Sequence, residues 1–396
     1  MKAMNVMPNR KAVWILLICF WFASAGIILA ESPADEWIRQ QAEELPKDEV
    51  EQYWNGLMEK YGGFFPQRQM PSFMDMLLPG GEGFSIQAVM AALGGFLWNE
   101  VLINAKLLVT IVMLSILSMV METLQTAFEK NQVSKIAYAL CYMVIIIIAI
   151  NSFSVAIQYA KSAIDGMTDF MLAMLPLLFT LLASMGNVVT VSVTHPLIVF
   201  MIHTIGTVIH TVVFPLLFFS ALLHLVSSIS DKYKLTQLAD LLRNIAAGLL
   251  GMLLTVFLGV ISVQGWTASV TDGMTLRSAK FVASNFVPVV GRALADAADT
   301  VISASLLVKN AIGLAGVIII LFLCAFPALK ILTLALIYNV TAAIMQPLGD
   351  TPIVSCLQAV GKSMLFVFGA VAAVGLMSFL AITIMLAAGN MTVMMR

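Results

Sequence analysis

The chain has 396 residues, of which 60% are apolar and 11% charged, and its mean hydropathy is +0.96. Soluble domains carry about 25% charge, so this chain has too few polar side chains to cover the surface of a water-soluble enzyme. Disorder is excluded too, because it needs low hydrophobicity and high charge. The composition specifies an all-α polytopic membrane protein with about 7–9 transmembrane helices. The net charge of −1 hides a segregation: residues 31–85 hold 11 acids against 4 bases, whereas 86–396 hold 11 acids and 14 bases. No basic cluster points to nucleic acid.

Residues 1–30 read as a signal peptide or signal anchor. Lys2, Arg10 and Lys11 precede an apolar run over 12–29, and Ala23, Ser24, Ala25 and Ala30 offer cleavage positions. Residues 31–85 form an acidic amphipathic ectodomain of short helices. Within it Val50, Tyr53, Trp54, Leu57, Met58 and Tyr61 recur at helical spacing. About 55 residues this acidic cannot bury a core alone. The stripe therefore packs on the membrane body or bilayer surface, or docks a partner protein through Val50, Tyr53, Trp54, Leu57 and Tyr61.

Residues 86–163 hold two spans, at 101–121 and 136–159, with Lys161, Asp165 and Asp169 marking the next surface. Residues 170–230 carry no charge, which allows three passes or two plus a re-entrant piece. A weak repeat with a period near 112 follows, dividing the rest into 164–266 and 277–390. Pro176 corresponds to Pro288, and Phe214-Pro215 to Phe326-Pro327. Pro176, Pro215, Pro288 and Pro327 are read as helix breaks, a common plan in repeated membrane proteins. Gly248, Gly251, Gly259, Gly369 and Gly375 mark spans whose backbones approach closely. An exported N-terminus makes 101–121 run inward and puts Lys130 and Lys135 inside, and three passes within 170–230 keep Lys232, Lys234 and Arg243 inside as well, in line with the positive-inside bias. The C-terminus is then inside after about nine crossings.

In the second repeat, Val290, Leu294, Ala297 and Val301 share one helix face, and Arg292, Asp296 and Asp299 share the other. Such a helix lies at the interface, or lines a wet pore or subunit contact. Histidines at 195, 203, 210 and 224 lack metal-site spacing, since His203 and His210 stand roughly 10 Å apart on one helix. Glu100, Lys106, Lys309, Lys330 and Lys362 sit near span edges, within snorkelling reach. Cys19, Cys141, Cys324 and Cys356 form no CxxC and read as buried hydrophobes. No catalytic, cofactor or metal motif is present.

The polar stretch Pro288-Val289-Val290-Gly291-Arg292-Ala293-Leu294-Ala295-Asp296-Ala297-Ala298-Asp299-Thr300-Val301, followed by Lys309-Asn310-Ala311-Ile312-Gly313, resembles the stage III sporulation protein AE family of endospore-forming Firmicutes. The resemblance extends over essentially the whole chain. It implies a mother-cell membrane protein belonging to a trans-envelope channel or secretion-like complex around the engulfed forespore. It also implies partners from the same operon, an ATPase and ring-forming subunits, and indirectly stage II sporulation protein Q. Membrane lipid, and further copies of the chain, complete the expected contacts. An autonomous small-molecule transporter and a non-conducting scaffold are the competing readings of the residues themselves.

Overall fold

The computed structural model describes residues 48–65, 73, 86–127, 132–229, 234–286, 290–349 and 351–394. The signal segment and most of the ectodomain lie outside the described residues. All regular structure among the described residues is helical. A short amphipathic helix α1 (Asp48–Tyr61) comes first. α2 (Ile86–Ile103) and α3 (Ala105–Ala127) follow. They meet at Asn104, whose side-chain amide donates to the Glu100 carbonyl at 2.8 Å.

The rest of the chain is built of long antiparallel rods. α4 (Gln132–Ser184) has 53 residues, α7 (Thr236–Phe286) 51, α8 (Val290–Met345) 56 and α9 (Pro352–Met394) 43. A further rod is composite: α5 (Val188–Val208), a π segment (Ile209–Val213) and α6 (Phe214–Ile229). Seven stretches among the described residues are long and apolar enough to cross a membrane. The chain is therefore an all-α polytopic membrane protein.

Cross-contacts define how the rods run. Tyr338 Oη donates to the Ile148 carbonyl at 3.3 Å, and Ser184 Oγ lies 3.2 Å from Ser305 Oγ. α4 and α8 are thus paired antiparallel over most of their length. α8 and α9 pair likewise, from Asn339 beside Gly361 to Lys309 on Asn390. Met174 with Ile382 at Gly316, and Met167 with Cys324 at Gly375, pack α4, α8 and α9 together, and Phe153, Phe170, Phe322, Phe326, Tyr338 and Met364 are buried in the wider core. A Cβ at Gly375 would collide with Cys324, and one at Gly313 with Leu386, so these glycines permit the close approach of α8 and α9.

Several expectations change. The helix does not end at Lys161, Asp165 and Asp169: α4 continues through them. Residues 170–230 are not three passes; they supply the second half of α4 and one composite rod. The last helix consequently ends beside the turn at 185–187, opposite the end that carries Lys234 and Lys362. Pro176 and Pro327 are interior to unbroken helices rather than breaks. A full break in an apolar setting would leave up to about eight backbone groups unpaired, whereas proline forfeits one hydrogen bond. Pro215 does mark an irregularity: lacking an N–H, it stands beyond the end of the π segment with one residue, Phe214, between. Pro288 lies outside the described residues. At Gly248, Gly251, Gly259 and Gly369 a Cβ would meet no described atom within 4 Å, so these glycines are not needed for close approach within the described part.

Candidate functional site

α1 begins with Asp48, Glu49 and Glu51 and ends with Lys60, the arrangement its dipole favours. Its apolar stripe is consumed within the chain. Val50, Trp54, Leu57 and Tyr61 are buried. Tyr61 stacks on Phe326 with centroids 3.9 Å apart and meets Phe96 edge-on at 5.6 Å. Tyr53 meets Phe170 edge-on at 5.4 Å. The expected partner-docking face (Val50, Tyr53, Trp54, Leu57, Tyr61) is therefore corrected: its partner is this chain's own α2, α4 and α8. Burying four apolar side chains at roughly 1.5–3 kcal/mol each explains why the short acidic helix stays on the body.

Where α1 lands, a charged belt crosses the bundle at mid-height. Lys330 Nζ lies 3.3 Å from Glu100 Oε1, and the same ammonium sits 5.1 Å from the centre of the Tyr159 ring and 5.9 Å from that of Phe96. His210 Nε2 lies 3.3 Å from Asp165 Oδ1. Asp165 and Asp169 are exposed on α4. A groove of about 780 Å³ opens between α1, α4 and α8, lined in part by Glu49, Lys60, Tyr53, Ser162, Asp169 and Pro327. Burial, then the carboxylates of Asp169 and Glu49, push the Tyr53 hydroxyl pKa up. Burial, with Glu100 nearby, pushes Tyr61 to about 12. Both phenols remain neutral donors at physiological pH.

A second polar cluster lies at the end of the rods where α4 turns into α5. Gly186 takes φ +84 there, a left-handed conformation suited to glycine. Asp272 of α7, 2% exposed, accepts hydrogen bonds from the Val189 and Thr190 N–H groups at 2.9 and 2.8 Å. Its carboxylate thus caps the N-terminus of α5 from another helix. Nearby Lys309 is fully buried, donating to Leu386 O at 2.9 Å and Asn390 Oδ1 at 2.7 Å. It does not snorkel, contrary to expectation, and neither does Glu100; Lys106 and Lys362 are exposed. At the opposite end His224 Nε2 lies 3.4 Å from Asp240, which also pairs with Arg243.

The expected polar face is only partly in view. Asp299 is half-buried near the start of α8, while the side chains of Arg292 and Asp296 lie outside the described part. Sequence reasoning missed the Glu100–Lys330 pair and the Asp272 cap. For Glu100 and Lys330 the available signal was a charge beside an otherwise apolar run; Asp272, in the mixed stretch after residue 264, gave none. Among the described residues no three His, Cys, Asp or Glu converge as metal ligands.

A family model described as Stage III sporulation protein AE (spore_III_AE) matches residues 68–389. The protein called Stage III sporulation protein AE from Bacillus subtilis (strain 168) is 50% identical over 363 residues, spanning 92% of this chain and 91% of that protein. No solved structure matches.

Proposed function

Because the chain belongs to the stage III sporulation protein AE family, and so has a role in sporulation, we propose that it is an integral membrane subunit of the channel complex joining mother cell and forespore. In this reading it sits in the mother-cell-derived membrane around the forespore. Its partners are the ATPase and ring-forming proteins of its operon, and indirectly stage II sporulation protein Q. The chain performs no chemistry of its own and uses no cofactor. Arg292, Asp296 and Asp299 contribute a polar subunit contact or pore wall.

The observation that carries this reading is how the bundle is filled. Met174 and Ile382 close on Gly316, Met167 and Cys324 on Gly375, and Leu182 and Lys309 on Gly389, so α4, α8 and α9 pack against one another with no room between them at these levels. A chain packed this way supports a pore as one wall among several, or as its scaffold. A self-sufficient transporter would instead hold substrate near mid-membrane between its helices, whereas the groove here opens sideways beneath α1.

The test is complementation of a Bacillus subtilis strain lacking its relative. Cells without either protein should complete engulfment but lose late forespore-specific reporter expression. This chain should restore both the reporter and heat-resistant spores. Normal reporter activity and spore counts in the strain lacking both would contradict the proposal.

A further inference from the structure

The charges of the belt pair off unevenly. Lys330 faces Glu100 at 3.3 Å, and Asp165 faces His210 at 3.3 Å. Lys161 stands one helical turn before Asp165 on α4. It is half-buried and makes no ion pair with a carboxylate among the described residues. A half-buried ammonium without a counter-charge is costly in an apolar setting, and an anion from outside the chain would relieve it.

Lys161 lines a groove of about 310 Å³ between α4 and α6. Ile157, Phe214, Phe218 and Phe219 form its apolar wall, and Gln158 stands beside the ammonium. No acid lines this groove, whereas the larger one beneath α1 sets Glu49 and Asp169 against Lys60. It opens where the composite rod is irregular. Phe214 follows the π segment, and Pro215 beside it has no N–H; π segments recur at functional sites.

The groove lies at the depth of lipid headgroups. Tyr159, two residues before Lys161, holds Lys330 at 5.1 Å, which sets Lys161 level with the Glu100–Lys330 pair. α3 starts beside that pair and leads back to where α4 begins. Its apolar stretch, Ala105–Leu124, has 20 residues, the length of one bilayer crossing. Exposed Asp165 and Asp169 at the level of the belt need water. A hydrocarbon boundary therefore runs through the belt. From Lys161 the groove follows α4 back to Ser154, a rise of about 10 Å. That direction leads toward the Tyr142–Ser228 contact and so into lipid. Phe219 is 54% exposed, so the apolar wall is open to the bilayer from the side.

We propose that this groove binds one anionic phospholipid, in the leaflet farther from the basic end. The phosphate accepts from the Lys161 ammonium and the Gln158 amide, charge-assisted bonds at the edge of a low-dielectric region. Ser154 offers its hydroxyl to an ester carbonyl below, and the upper acyl carbons lie on Phe218 and Phe219. A zwitterionic lipid would bring a second cation into a groove that has no acid to receive it. The site goes beyond the subunit reading and does not depend on it.

The test is native mass spectrometry of the full-length protein, released from mild detergent with phosphatidylglycerol and phosphatidylcholine added in equal amounts. The wild type should retain one phosphatidylglycerol under activation that strips phosphatidylcholine. Lys161→Gln should weaken that retention on the order of tenfold. Lys161→Arg should keep it, and Lys60→Gln, in the acid-lined groove, should match the wild type. Equal retention of the two lipids by the wild type overturns the site without recourse to any variant. Equal retention by the wild type and Lys161→Gln overturns it too. Displacement of phosphatidylglycerol by millimolar inorganic phosphate would mark a site for the free anion and would likewise overturn the lipid assignment.

Discussion

Glu100 and Lys330 join the elbow between α2 and α3 to α8 just beyond Pro327. Both side chains are largely buried, 10% and 23% exposed, so removing one strands the other. Glu100→Gln or Lys330→Met alone should destabilise by on the order of 3 kcal/mol. The double variant should recover much of that loss, as thermal unfolding in detergent would show. Additive losses would mean that the pair is not coupled. Asp272 makes a parallel case: Asp272→Leu removes two charge-assisted hydrogen bonds from the start of α5 and should cost about 3 kcal/mol or more, with Asp272→Asn intermediate. Equal melting temperatures for the wild type and Asp272→Leu would exclude the capping role. Neither pair was legible from sequence. Glu100 and Lys330 stood out as charges near span edges and Asp272 sits in a mixed polar stretch, but the partner lies 230 positions away for Glu100 and 82 for Asp272, and only the packing of rods sets such distances.

α1 was legible as an element and not as an interface. The spacing of Val50, Trp54, Leu57 and Tyr61 specified the helix and its apolar face, but spacing does not say what the face meets. Phe96, Phe170 and Phe326, scattered over three other helices, supply the answer. Trp54→Asp should release α1, with a cost of about 3–5 kcal/mol for the lost burial and faster tryptic cleavage after Lys60. Glu59→Gln, on the exposed side, should leave cleavage unchanged. Matching cleavage rates for Trp54→Asp and the wild type would contradict the docking. The prolines were misleading for a physical reason. Pro176 and Pro327 mark breaks in water, where freed backbone groups are solvated, but an apolar rod loses less by continuing through them. Gly186 is instructive by comparison: its positive φ turns the chain where the sequence showed no charge and no proline.

At the scale of the whole molecule, composition and hydropathy alone specified a helical membrane body. Rod length was not legible, because a charged stretch such as Lys161 to Asp169 looks the same whether it ends a span or crosses a continuing helix. The rods, the belt at mid-height and the packing of α4, α8 and α9 fit the proposal that the chain is one part of a larger assembly. That claim meets its most direct test in affinity purification of the tagged chain, in mild detergent, from sporulating cells, followed by mass spectrometry. The account predicts recovery of the operon's ATPase and ring-forming proteins at near-stoichiometric levels. Recovery of the chain alone, from membranes in which those proteins are present, would contradict it.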